Sequence, residues 1–186
     1  EARTFVECFG DEIAFTIATN YLRYNGTYWE ESEQAAVMAM IEHTDVQLAE
    51  AERKMEDDLC ALEKLGVPRA LAKAGGKKFR DSLTPEQGAA YGLFRFSELY
   101  HDFVLKYRHI RSLNNALDAA KPLVLKHPEQ LDGDPYLLNT PGGTYDLSKG
   151  LDGWRATDPA DLITKVTAVV PNEEGRQIWE DALQVF

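Results

Sequence analysis

The chain has 186 residues, 44% apolar, 10% aromatic and 27% charged, an ordinary globular composition that excludes a wholly disordered chain. Its formal net charge of −11 argues against a domain that coats nucleic acid over its whole surface. No apolar run approaches the roughly 20 residues of a membrane helix, and nothing at the start resembles a signal peptide.

Taken in chain order, Ile17 to Ser32 is IATNYLRYNGTYWEES, two aromatic-rich runs separated by Asn25-Gly26. Asn-Gly accepts positive φ at both central positions of a type I′ turn, so a β-hairpin is expected. Ser32 suits a helix cap, with Glu33 favourable in the first turn. Val37, Met40, Ile41, Thr44, Leu48, Ala51, Met55, Leu59, Leu62 and Leu65 recur at steps of mostly three and four, one face of a long helix over 33–65. Gly66 and Pro68 stop it. Residues 69–83, RALAKAGGKKFRDSL, predict a short helix and a basic loop. Thr84-Pro85-Glu86-Gln87 combines a cap, a proline at the first helical position and Gln87 three residues after the cap, so a helix is expected to about Leu105. Ser112 is the expected cap of another short helix through Ala120, ended before Pro122.

Beyond Pro122 the texture changes to turns and short apolar runs. Leu137–Thr140 and Thr144–Leu147 predict paired strands around a Pro-Gly-Gly turn, with Asp146 bracing the turn at Ser148–Gly150. Asp158-Pro159 predicts a short helical turn. Ile163–Val170, ITKVTAVV, has the β-branched content of a strand, and a helix is expected over 172–186. The fold class is α+β, a helix-dominated single domain with small β-hairpins near both ends of the sequence. Its regions are a hairpin region at 1–32, a helical region at 33–122, a small β region with turns at 123–171, and the closing helix. A chain that begins at Glu1 without Met and stops at Phe186 inside that helix reads as a piece of a longer polypeptide.

Motifs for catalysis are not found. AGGKKF (Ala74–Phe79) is not a phosphate loop, because Leu71 stands where that motif needs glycine and Lys78 where it needs Ser or Thr; a basic surface loop is expected. His43, His101, His109 and His127 have no zinc-ligand spacing. LDGDP (Leu131–Pro135) lacks the further oxygen ligands of a calcium loop and suits a turn. There is no GxSxG motif and no Cys–His pair. No catalytic, cofactor-binding or metal residue is therefore assigned. Cys8 and Cys60 form no CxxC pair and suit two incidental buried thiols of a reduced, cytoplasmic protein.

Charge is unevenly spread. Residues 1–66 carry 5 basic and 15 acidic side chains, 67–126 carry 11 and 5, and 127–186 carry 4 and 11. Within the basic middle, Leu105–Pro128 places Lys106, Arg108, Arg111, Lys121 and Lys126 against Asp118 alone, with Tyr107 and His109 interleaved. Basic groups with aromatics suit a single-stranded backbone with stacking bases. The alternatives are a solvated surface or arginines paired with the acidic segments. Lys106, Arg108 and Arg111 are the first candidates for nucleic-acid contact, and Lys77, Lys78 and Arg80 the second.

The order of short motifs is more specific than any one of them. A tryptophan-bearing hairpin, YNGTYWEES, precedes a helical region ending in YRHIRSLNNALDAAKPL. Leu131-Asp132, Leu137-Leu138-Asn139, Gly142-Gly143, Asp146-Leu147, Gly150, Asp158-Pro159 and Ile163-Thr164-Lys165 then follow, with a helix carrying Trp179 at the end. This order resembles the N-terminal, pre-helicase domain of phage, plasmid and viral primase-helicases of the superfamily 3 type. Ser148-Lys149 stands where that family often has Arg-Thr. The resemblance implies a noncatalytic collar or linker domain that rests on its own helicase domain in a homo-oligomeric, hexameric AAA+ ring. It implies an ATP-dependent parent helicase acting in DNA replication in the bacterial or host cytoplasm, often with a primase upstream. ATP and Mg would belong to the parent's helicase domain. The basic middle would face DNA or a neighbouring subunit. The rival reading is a stand-alone interaction domain whose acidic helix recruits a partner.

Overall fold

The structure is a computed structural model that describes residues 1–172, 174 and 176–184. The architecture is α+β and helix-dominated, with a small three-stranded antiparallel sheet in each terminal region of the sequence. Its contacts divide it into a helical unit, Glu1–Cys8 with Gln34–Leu123, and a β unit, Phe9–Glu33 with the chain from Val124 onward.

The helical unit is built on α2 (Glu33–Lys64) and α5 (Pro85–Tyr107). Helix α2 stops where Gly66 takes φ +82°, a conformation glycine adopts without a Cβ penalty. Helix α5 starts at the expected capping box: Gln87 N donates to Thr84 Oγ1 and Thr84 N to Gln87 Oε1. Leu59 and Leu62 of α2 form one buried cluster with Tyr91 and Phe94 of α5, and Gln87 Nε2 donates to Leu65 O at 2.9 Å. At the other end of the pair Arg108 reaches Asp45, so the two helices run antiparallel. Two short helices, α3 (Arg69–Ala74) and α4 (Lys77–Asp81), make the connection. Arg69 staples α3 to α2 through Glu56 (2.6 Å) and Glu63 (2.9 Å).

Three features of this unit depart from expectation. The stretch at Ala74–Phe79 expected as a basic loop runs into helix α4 at Lys77, anchored by Phe79 against Tyr91 (ring centroids 5.2 Å apart). Helix α6 (Ile110–Ala120) has His109 at its N-cap position without a side-chain capping bond, and Ser112 lies inside its first turn, where Ser112 N donates to His109 O. The region expected to hold only a hairpin opens on helix α1 (Ala2–Phe9), whose Phe5 is fully buried and meets His43 of α2 edge-on at 5.9 Å.

In the β unit the first sheet orders β1 (Ile13–Thr16), β2 (Asn20–Tyr24) and β3 (Trp29–Glu31). The expected hairpin is β2–β3, but its turn is not Asn-Gly in type I′. Tyr24 pairs with Trp29, Asn25 N donates to Tyr28 O, and only Gly26 has positive φ. Asn25 instead uses its side chain, accepting from Thr27 N and Tyr28 N. Ala14, Leu22 and Trp29 form the buried side of this sheet, closed by Leu131 and Leu162. Trp29 N donates to Ile163 O and its indole Nε1 to Pro159 O, both at 2.8 Å.

The second sheet orders β4 (Leu137–Thr140), β5 (Gly143–Asp146) and β6 (Trp154–Arg155). Asp146 is the expected brace: its Oδ1 accepts from Ser148 N and Oγ, and Lys149 Nζ lies 2.6 Å from Oδ2. Lys149 and the Ser148 hydroxyl hold the Asp146 carboxyl down at about 2. Asp158 caps the expected turn by accepting from Ala160 N. Residues 163–170 are not a strand. Ile163 O accepts from Trp29 N, Thr164 N donates to Asp132, Thr167 N to Asn139 O and Thr167 Oγ1 to Val169 O. Each polar group finds a different partner, so no ladder forms. Of the expected closing helix, Arg176–Leu183 is α7; residues 173, 175, 185 and 186 lie outside the described residues.

Two predictions follow from the β unit. Gly143 has φ +135°, and a Cβ there would sit 2.6 Å from Trp154 Nε1 and 2.7 Å from Arg155 O. Gly143→Ala should cost about 2–3 kcal/mol in urea unfolding, whereas Gly26→Ala, at φ +93° with open space around it, should cost about 1 kcal/mol. Equal losses would contradict this packing. Burial raises the Asp132 carboxyl's pKa, but the Thr164 hydroxyl and amide and Lys165 outweigh it, and the net shift is downward. A carboxyl depressed in the folded state stabilises above its unfolded value, about 3.9, and that stability is lost as pH falls through the folded value. Urea midpoints measured from neutral pH down to pH ~2 should fall less steeply for Asp132→Asn than for the parent chain.

Candidate nucleic-acid interface

Helix α5 carries apolar residues on two faces. Tyr91, Phe94, Ser97 and Val104 point inward and are buried. Leu93, Phe96, Tyr100, Phe103 and Tyr107, continued by Ile110 at the start of α6, recur at alternating steps of three and four and make a second stripe. Phe96 is 72% exposed and Ile110 61%. The aromatics stack along this ridge: Tyr100 and Phe103 lie 6.4 Å apart and nearly parallel, and Phe103 and Tyr107 4.6 Å apart. The ridge was not among the expectations, because this helix is expected from its capping box alone and its apolar spacing was not traced. The signal was present in the spacing from Leu93 to Ile110.

Among the candidate cations, Lys106 and Arg111 are exposed beside this ridge and make no ion pair or hydrogen bond among the described residues. Arg108 is different. It is the C-cap residue of α5, its Nη1 lies 2.5 Å from Asp45 Oδ1, and it donates to Thr44 Oγ1 at 3.4 Å. A guanidinium so engaged has fewer donors left for a phosphate. Lys121 is paired with Asp118 at 2.7 Å, and Lys126 belongs to the β unit.

Lys77, Lys78 and Arg80 are exposed on α4, which packs at Tyr91. Tyr91 precedes Tyr107 by four and a half helical turns, about 24 Å along the axis of α5. The six candidates therefore form two separate clusters rather than one patch. The thiols differ from expectation: Cys8 is exposed and Cys60 half-buried, with Arg69 Nη2 donating to Cys60 Sγ at 2.9 Å. Among the described residues no three His, Cys, Asp or Glu side chains converge to hold a metal, and no helix is long and apolar enough to cross a membrane.

The family model described as D5 N terminal like matches residues 2–186. No curated protein matches the chain in sequence.

The Arg108–Asp45 pair is half-open to solvent, which limits its strength. A double-mutant cycle with Arg108→Ala and Asp45→Ala should give a coupling of about 0.2–1 kcal/mol by chemical denaturation. Zero coupling would place Arg108 among the free cations with Lys106 and Arg111.

Proposed function

The chain belongs to the D5 N terminal like family, the noncatalytic pre-helicase N-terminal domain of primase-helicases, and from that premise we propose that it is the collar of a phage or plasmid replicative helicase. In this role it supports ring assembly and handles DNA during replication. The parent is an ATP-dependent superfamily 3 DNA helicase of the AAA+ type, hexameric and cytoplasmic, with primase activity upstream. ATP and Mg are held by the helicase domain, to which this domain is joined. The observation that carries the reading is the family match over residues 2–186.

Two features of the helical unit support it. The ridge from Leu93 to Ile110 is an exposed apolar surface among the described residues, of the kind that subunit contacts cover. Acidic α2 and the basic α5–α6 junction suit head-to-tail contacts between subunits. DNA contact falls to Lys106 and Arg111, since Arg108 is occupied by Asp45.

In the parent protein, K106A/R111A should weaken DNA binding and reduce the slope of log affinity against log salt by about 1–2, the value for two lost phosphate contacts. Arg108→Ala should change that slope by much less. An unaltered slope in the double variant would remove DNA from this surface and leave it to a neighbouring subunit.

A further inference from the structure

The glycines that break α3 from α4 open onto a cleft of about 330 Å³ lined by Ala74, Gly75, Gly76, Arg80, Tyr91 and Arg95. Tyr91 is only 6% exposed. Its ring is fixed between Phe79 (5.2 Å, 82°) and Phe94 (6.3 Å, 39°), and its hydroxyl comes out at Gly75. A Cβ on Gly75 would meet that oxygen at 2.8 Å, and Gly75 also has φ +61°. Two independent constraints therefore keep this position free of a side chain. No described residue hydrogen-bonds the hydroxyl, which faces the open cleft and is not among the buried unpartnered atoms, so it is available to a ligand there.

The groups around that hydroxyl are donors. Arg80 is exposed and makes no ion pair among the described residues. Arg95 contacts Glu98 through Nη1 and keeps further N–H groups. Gly76 N–H is not used by any described carbonyl. Lys77 and Lys78 add positive charge, against Asp81 and Glu98.

We propose that this cleft binds a phosphate group, with the Tyr91 hydroxyl and the Arg80 and Arg95 guanidiniums as its donors. Guanidinium forks match the geometry of phosphate oxygens, and a phenol adds a neutral donor at fixed position. The glycine-rich turn thus serves a phosphate without the Gly-Lys-Ser/Thr arrangement of a nucleotide loop, whose positions are not met. The phosphate is that of a nucleic-acid backbone, a nucleotide or the free ion, which share this chemistry. The site does not depend on the collar reading, because Lys106 and Arg111 lie at the other end of α5.

The test is an NMR titration of the chain with inorganic phosphate, a nucleoside diphosphate and a short single-stranded oligodeoxynucleotide, each at constant ionic strength. Saturable shifts of the Gly75 and Gly76 amides are expected with at least one of the three. Tyr91→Phe and Arg80→Ala should each weaken binding about tenfold, with Tyr91→Phe unfolding at the same or a higher temperature. Saturation by the oligodeoxynucleotide assigns the site to a nucleic-acid strand. Saturation by phosphate or diphosphate alone assigns it to a small ligand. The proposal is overturned if no probe saturates, or if Arg80→Ala weakens binding while Tyr91→Phe leaves it intact. Oligodeoxynucleotide binding that is lost in K106A/R111A but intact in both cleft variants also overturns it, while sparing the collar reading.

Discussion

The β unit depends on Trp29. Three strands of four, five and three residues are too short to hold a sheet alone in water. Leu131 and Leu162, more than a hundred residues later in the chain, close the cluster of Ala14, Leu22 and Trp29. The Trp29 amide and indole donate to Ile163 O and Pro159 O, so one residue supplies both the apolar centre and two fixed hydrogen bonds. Asn139 Nδ2 to Thr27 O and Thr157 Oγ1 to Gly26 O extend the same closure to the hairpin turn. The helices between Gln34 and Leu123 are in effect an insertion between two halves of one β unit.

That insertion has its own logic. A thirty-two-residue helix needs a partner along its length, and α5 supplies it by returning antiparallel from the capping box at Thr84. The inner stripe of α5 is spent on α2. Its outer stripe of aromatics is left uncovered, and the chain end of α5 brings Lys106 and Arg111 beside it. Apolar exposure thus meets positive charge unpaired among the described residues at the α5–α6 junction, while the second basic cluster is held at the opposite end of α5 by Phe79 and Tyr91.

Periodicity and local chemistry made much of this legible. Helix α2, the glycine stop at Gly66, the Thr84–Gln87 box, the β4–β5 pair and the Asp146 and Asp158 braces all rest on interactions within a few residues. What was not legible rests on distant partners. Two-residue β6 exists because Tyr145 and Thr144 offer it an edge. Residues 163–170 have strand-like composition, yet their amides and carbonyls are taken by Trp29, Asp132 and Asn139. Arg108 looked equivalent to Arg111 in sequence, and only the fold brings Asp45 to it across sixty-three positions. The Tyr91 hydroxyl likewise acquires meaning only when Gly75 and Arg80 are placed around it. Motif order carried the family membership, because it records the whole pattern of turns rather than any single contact.

The family is a noncatalytic pre-helicase domain, and the collar role we propose for it is mechanical. The most direct measurement is the solution mass of the parent protein by light scattering, with ATP present, with and without residues 1–186. If the domain is a collar, the intact protein forms rings and the deletion variant falls to smaller species at the same concentration. Rings of unchanged subunit number in the deletion variant would contradict a role in assembly.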